Sequence, residues 1–533
     1  MYHCGTADQS LLLINERLKS RTTCLEWDHE IVGPIYDERG LEQGGANSGD
    51  FYKIFGKEQL QNAQDSGLGV TIGNVTISAI GQADDTLLIS NSPHTLQNLL
   101  EMTLNFCSKY HVKLCVGKTK LQAFSTAPMK IAVQYLKDTS PIQIDGKKIE
   151  FVETAEHVGI LRNVNGNLPN ILSRFTAHRN KLGSLLHTGM SRRHRGNPAS
   201  SIHVNQIYGI PVLMSGLGAL NLLKSEEDML DHHHKGTLEK LLRLLPCTPQ
   251  CVTLFLSGSL PGSALLHHRQ LSIFGMICRL PDNVLHKMAI HSLTTLKHSS
   301  RSWFLRIINL CNHYSLPHPL VLLRTPLSKY SYKSFIKKKV LSYWEDSLRT
   351  TAMNNYTSLQ YFHPQYMSLT VPHPMLTSAG SSPYCITMSR VQSIMLSGRY
   401  RTQELMSNWC HTQSKCCQAP SCSGLALTES LDHILATCSS LSDIRQKLRK
   451  YTEDYCRSSC HLTDLETLIL DICQPDHQMF CQFLIDCSVL PQVIKLHLFH
   501  GNGIYALVSL TYHSVPLYLF VTDIPTPRVC QST

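Results

Sequence analysis

Apolar and polar positions alternate through Val75-Thr76-Ile77-Ser78-Ala79-Ile80, and the apolar run Thr86-Leu87-Leu88-Ile89-Ser90 follows a short polar tip. This pattern predicts two strands of a hairpin with Ala83-Asp84-Asp85 at its turn. Beyond it, Leu96, Leu99, Leu100, Thr103, Leu104 and Cys107 recur at helical spacing. Asn91-Ser92-Pro93 supplies a start signal with proline suited to a first turn, so an amphipathic helix is expected over residues 93–109. Upstream, Leu11 to Leu18 reads as helix and Cys24 to Asp37 as a strand and turn. Downstream, Phe151 to Arg162 reads as a strand that closes this α+β unit.

The pattern then changes. Helical stretches are expected near Asn170 to Gly189, Ser200 to Leu222 and Ser225 to Leu245, the last ending before Pro246. Residues 301–400 are basic, contain tyrosines and are punctuated by Pro317, Pro319, Pro326, Pro364, Pro372, Pro374 and Pro383, which predicts a helical connector with loops. A chain of 533 residues is too long for one core, and its 42% apolar content allows several buried ones. The expected division is an α+β unit at 1–163, a helical unit at 164–300, the connector at 301–400, a small module at 401–445 and a tail at 446–533.

Charge is segregated along this plan. The net charge is only +10, yet His157 to Ser225 contains no acid and eight cations, among them Arg174, Arg179, Lys181, Arg192, Arg193 and Arg195. A second acid-free stretch, Asn283 to Trp344, carries ten. A phosphate-backbone binder needs such tracts, because each neutralised phosphate releases counterions. The bland alternative, for single runs such as Lys337-Lys338-Lys339, is a solvated basic face.

Two constellations suggest metal. Adjacent carboxylates repel unless a cation lies between them, so Asp84 and Asp85 read as a divalent-metal site or as an ordinary polar turn. Cys417, Cys422, His433 and Cys438 have the spacing C-x4-C-x10-H-x4-C, and three thiolates with one imidazole make a competent tetrahedral Zn2+ set. Cys416 could replace Cys417 as first ligand. Pro420 would bend the first pair into a knuckle, and Ser430 to Ala436 would be a short helix offering His433. The triplet His232-His233-His234 reads as an exposed helix face rather than a ligand set.

In order and spacing, Gly40-Leu41-Glu42-Gln43-Gly44-Gly45-Ala46-Asn47-Ser48, Ala83-Asp84-Asp85 and Lys118-Thr119-Lys120-Leu121-Gln122-Ala123-Phe124 resemble the reverse transcriptases of non-LTR (LINE-type) retrotransposons. The resemblance implies a polymerase palm of antiparallel sheet and helices, then a helical thumb and the connector. Ser397-Gly398-Arg399-Tyr400-Arg401 through Cys438 resembles the zinc-binding segment that follows the polymerase in such proteins. It further implies that Asp84 and Asp85 hold Mg2+, that Gln43, Gly44 and Gly45 lie against template and incoming nucleotide, and that Lys118 or Lys120 neutralises the triphosphate. His157-Val158-Gly159-Ile160 resembles the segment contacting the primer end, against the alternative of a plain edge strand. The implied partners are an RNA template, a DNA primer or target and, if the chain is active, a deoxynucleoside triphosphate.

The pattern departs from the family in one respect. Two-metal chemistry needs a third carboxylate from an earlier strand. Only 42 residues precede Gln43, and Asp8, Asp28 and Asp37 do not sit in the family's context. The expectation is an amino-terminally truncated, catalytically incomplete polymerase relative. The alternative is a nucleic-acid-binding protein that kept the basic surface and the zinc module after losing chemistry.

Twenty cysteines without a dense framework, and no hydrophobic leader after Met1, suggest a reducing intracellular setting, nuclear or cytoplasmic. Leu496 to Thr522 carries no Asp, Glu, Lys or Arg, but three histidines, two glycines and Pro516 speak against a membrane span there.

Overall fold

A computed structural model describes residues 8–442 and Gln446, apart from 20, 38–39, 42–44, 125–141, 186–196, 282, 296–301, 357–358, 360–361, 363–365, 378–382, 401, 410–413, 423, 431–432 and 443–445. The chain divides into two compact units. The first comprises residues 1–173, 276–306 and 319–326, and the second 174–275, 307–318 and 327–533.

The first unit is mixed. Helix α1 (Asp8–Leu18) precedes the antiparallel hairpin β1 (Arg21–Trp27) and β2 (Glu30–Asp37), whose turn places Asp28 and His29 at φ +50° and +66°. Helix α2 (Ser48–Asp65) follows the glycine segment. Strands β3 (Val70–Ile72) and β4 (Val75–Ile77) pair antiparallel, as do β5 (Ala79–Gln82) and β6 (Asp85–Leu88). Ser78 links β4 to β5, and its carbonyl accepts from Ile89 N–H at 2.9 Å, so the alternating run forms one extended stretch.

Helix α3 (Pro93–Lys109) begins where the local signals place it. The Ser92 side chain accepts from Thr95 N–H at 3.2 Å and Pro93 occupies the first turn. Leu99, Leu100, Thr103, Phe106 and Cys107 are its buried stripe. Phe55 of α2 meets Phe106 and Tyr110 with ring centroids 5.3 Å away in each case. Lys109 Nζ lies 2.6 Å from Glu58 Oε1 across the same pair of helices, and hydrogen bonds from Lys109 and Tyr110 hold the Glu58 carboxyl below its ordinary pKa.

Strand β7 (Lys120–Leu121) is followed by the hairpin β8 (Gln143–Ile144) and β9 (Lys147–Lys148). β7 then pairs in parallel with β10 (Glu150–Phe151). The hairpin β11 (Thr154–His157) and β12 (Ile160–Asn163) completes the strands. Leu100, Ile142 and Ile144 form a buried cluster with Leu96, Leu104, Leu121 and Ile149 around it. The strands thus make small two-stranded pairs, antiparallel except for β7 with β10.

Helix α4 (Leu168–Leu185) starts in the first unit, where Asn170 Oδ1 accepts from Leu161 N–H at 3.2 Å. The second unit continues with α5 (Pro198–Val204), a π-helical turn over Asn205–Gly209, and α6 (Lys224–Leu242). Glu226 and Glu227 occupy the first turn of α6, where carboxylates complement the helix dipole, and Glu226 accepts from Leu223 N–H at 2.7 Å. Next in the chain come α7 (Gln250–Ser257) and α8 (Gly262–Cys278), then α9 (Val284–Thr295), α10 (Trp303–His313), α11 (Pro319–Arg324) and α12 (Lys329–Asn355), of which α9 and α11 belong to the first unit. Helices α13 (Pro383–Leu396) and α14 (Gln403–Trp409) lead to the small module.

The core of the second unit joins Ile202, Leu238, Leu242, Val252, Phe255, Leu348 and Phe362. Gly258 caps α7 at φ +59°, and a Cβ there would run into the backbone of Val371 and Pro372, so glycine is required.

The histidine triplet differs from the expected exposed face. His232 is exposed, but His234 is fully buried and His233 stacks on Phe175 at 4.0 Å. His233 Nε2 lies 3.0 Å from His178 Nδ1, and His178 Nε2 lies 3.0 Å from Asn205 Oδ1. Packing between α4 and α6 draws the triplet inward.

Among the described residues no helix is long and apolar enough to cross a membrane, and Leu496 to Thr522 lies outside them.

Candidate functional site

The β5–β6 hairpin is closed by Ala83 and Asp84, with Gln82 opposite Asp85. Ala83 takes φ +50°, a conformation uncommon for a residue with a Cβ and found mostly where the fold over-determines it. Both aspartates are exposed, Asp84 in the turn and Asp85 as the first residue of β6. Tyr52 of α2 lies within electrostatic reach of Asp84. Its hydroxyl has a raised pKa, first because of burial and then because of the negative charge of Asp84.

The β11–β12 hairpin lies within electrostatic reach of Asp85. Val158 and Gly159 form its turn at φ +53° and +70°, and Arg162 Nη2 lies 3.3 Å from His157 Nδ1. Burial and then Arg162 lower the pKa of His157, and Asp85 opposes them, which places the Asp85 carboxylate within electrostatic reach of this imidazole. The segment expected at the primer end is therefore a tight hairpin beside the aspartate pair. Among the described residues, no third Asp, Glu, His or Cys joins Asp84 and Asp85 in a set compact enough for a metal ion.

Of the glycine segment, Gly45 lies just before α2, and its carbonyl accepts from Ser48 N–H at 3.1 Å. Gln43 and Gly44 lie outside the described residues. Lys118 is exposed, in the turn closed by its N–H on Cys115 O at 3.1 Å. Lys120 pairs with the Glu150 carboxylate, its partner in the parallel β7–β10 register. To meet a triphosphate, Lys120 has to leave Glu150. Gln122 Nε2 donates to Glu153 O at 3.2 Å and Arg162 O at 3.0 Å, tying the lysine strand to the His157 hairpin.

Arg174, Arg179 and Lys181 lie on α4. Arg179 and Lys181 are exposed, Arg174 is half-buried, and Arg179 Nη2 donates to Thr176 Oγ1 at 3.3 Å. Arg192, Arg193 and Arg195 lie outside the described residues.

The cysteine constellation converges. A ribbon forms where Cys417 N–H donates to Leu427 O at 2.8 Å and Glu429 N–H to Lys415 O at 2.9 Å. The 3-10 turn Pro420–Cys422 makes the knuckle, and the π-helical turn His433–Thr437 carries the histidine. Cys438 N–H closes that turn on His433 O at 2.7 Å.

The ligand atoms of Cys417, Cys422, His433 and Cys438 all lie within 4.8 Å of one another, and all four residues are buried. Cys416 sits instead on the bridge to Thr428. Cys422 Sγ is 3.7 Å from Cys438 Sγ and 3.6 Å from His433 Nε2. Tetrahedral zinc, with bonds of ~2.3 Å to sulfur and ~2.05 Å to nitrogen, has edges of ~3.8 Å and ~3.6 Å. The donor set therefore fits zinc in type and in spacing. Burial works against a Cys422 thiolate, but hydrogen bonds with Ser439, Cys438 and His433 bring its pKa to about 6, whereas burial pushes Cys417 up to about 12.

Several participants are not marked by any motif. Tyr52 and Glu150 come from remote positions. Thr437 lies four residues after His433, and its hydroxyl is 3.1 Å from His433 Nδ1, a spacing readable in a helical turn. Glu429 anchors the module to α14, its carboxylate accepting from Gln403 N–H at 3.1 Å.

Residues 7–152 match the sequence model of the family described as reverse transcriptase (RNA-dependent DNA polymerase). That stretch holds the glycine segment, the aspartate hairpin and the lysine strand. No curated protein matches the chain.

Proposed function

We propose that this chain derives from the reverse transcriptase of a non-LTR (LINE-type) retrotransposon, that it binds RNA and DNA, and that its own residues leave the polymerase metal site incomplete. The observation that carries the reading is the Asp84-Asp85 hairpin, within electrostatic reach of Tyr52 and of His157 and inside the stretch matched to reverse transcriptases. Asp84 and Asp85 are the residues that would hold Mg2+, which in such enzymes stabilises the attacking and leaving oxygens of phosphoryl transfer. A third acid would be needed to bridge two such ions, and none joins the pair among the described residues.

The candidate residues have separable roles in this reading. Lys120, once released from Glu150, supplies charge to phosphate. The turn at Val158-Gly159 brings backbone close to a primer strand. Arg174, Arg179 and Lys181 add phosphate contacts from α4, a run without acids. Cys417, Cys422, His433 and Cys438 would hold Zn2+, which fixes a module too small to bury a core of its own.

The test is a binding titration of the full chain with labelled RNA and DNA over a salt series. The expected result is an affinity for both whose logarithm falls linearly with the logarithm of salt. Absence of binding at low salt would contradict the reading.

A further inference from the structure

Helix α12 carries two stripes of opposite character. Tyr332, Ile336 and Val340 are buried at a spacing of four residues, and Lys329, Lys333 and Lys337 are exposed at the same spacing. One turn advances about 5.4 Å, so the lysines form a line with a step of about 6 Å along the helix. The buried stripe seats α12 on α8: Tyr332 hydroxyl donates to Leu271 O at 3.1 Å, and a Cβ at Gly275 would strike the Tyr332 ring.

That seating brings His268 and Arg269 of α8 to the lysine line. The pKa of His268 is lowered first by burial and then by the charges of Lys337, Arg269 and Lys333. Among the described residues no carboxylate forms an ion pair with Lys329, Lys333 or Lys337. The two acids of α12 lie beyond this line, and Glu345 is engaged by Leu369 N–H at 3.0 Å. Tyr330, 82% exposed, sits beside the first lysine.

We infer that this face of α12 and α8 binds the backbone of a single-stranded nucleic acid, with the lysine line on successive phosphates and Tyr330 under a base. Cations gathered without acids repel one another, and a polyanion relieves that repulsion while releasing counterions. An exposed tyrosine beside the line adds a stacking platform that tolerates any base. Lys333 and Lys337 lie on a rigid helix, so the surface is formed before the ligand arrives. The inference rests on the nucleic-acid reading above and adds a second surface, apart from the arginines of α4.

The test measures binding of short labelled oligo(U) and oligo(dT) to the full chain over a salt series. The variants are Lys329→Gln/Lys333→Gln/Lys337→Gln, Tyr330→Ala, and a charge-matched control, Lys19→Gln/Lys53→Gln/Lys224→Gln, whose lysines are exposed and ion-paired. Loss of three phosphate contacts should lower the salt slope by about 2. Tyr330→Ala should weaken binding by about tenfold, and the control should keep the wild-type slope. Circular dichroism establishes that each variant keeps its helices. An unchanged slope in the α12 variant overturns the inference and leaves the nucleic-acid reading standing. A wild-type chain that binds neither oligonucleotide overturns both. Displacement by polyglutamate as effective as by oligo(U) overturns it in favour of an acidic protein partner.

Discussion

His433 Nδ1 faces the hydroxyl of Thr437 at 3.1 Å, which leaves Nε2 directed at the sulfur of Cys422. A hydrogen bond from Nδ1–H to Thr437 selects the tautomer whose free lone pair lies on the cysteine side. Zinc content should therefore be one ion per chain, abolished by Cys422→Ser. Thr437→Ala should retain the site but weaken zinc by about 10- to 100-fold. Competition with a chromogenic chelator measures this, and equal affinities would remove Thr437 from the account.

The cap of α3 makes a local stability prediction. Ser92→Ala removes the acceptor for Thr95 N–H and should cost about 1 kcal/mol, whereas Ser92→Asp should restore most of it. Urea unfolding of the chain reads the difference.

Gly258 gives a larger effect. Its positive φ and its approach to Val371 and Pro372 leave no room for a Cβ, so Gly258→Ala should destabilise the helical unit by more than the ~1 kcal/mol of a simple left-handed alanine. Proteolysis between α7 and α8 would report the loosened cap.

Acid should weaken the helical unit through its histidines. Burial, then His178, lowers the pKa of His234 to about 4, and burial, then His178 and Arg179, lowers that of His233 to about 3. Both lie below the unfolded value of ~6.5, so the unfolded chain takes up protons that the folded chain refuses. The stability of the neutral imidazoles is fully present above ~pH 6.5 and is lost as pH falls through that window toward the folded values. The fully buried His234 alone should contribute up to ~1.4 kcal/mol per pH unit. His234→Gln should flatten the dependence of the urea midpoint on pH, and an unchanged slope would contradict the assignment.

What could be read in the sequence was local. Ser92-Pro93 and the spacing of Leu96 to Cys107 announce α3 because cap and stripe lie within one element. The cysteine spacing announces a ligand set but could not choose between Cys416 and Cys417, which differ only in the face of a ribbon that forms by pairing with Leu427 and Thr428. Tyr52 and Glu150 were silent because their neighbours come from distant positions. The triplet His232-His233-His234 reads as an exposed face in sequence because helical spacing says nothing about Phe175 stacking on His233 from another helix.

Mg2+-dependent primer extension on an RNA template tests the central claim most directly, with the purified chain beside Asp84→Ala/Asp85→Ala. An incomplete metal site predicts no extension above that double variant while salt-sensitive binding of the template persists. Extension that the double variant abolishes would contradict the claim and show that another carboxylate of this chain completes the site.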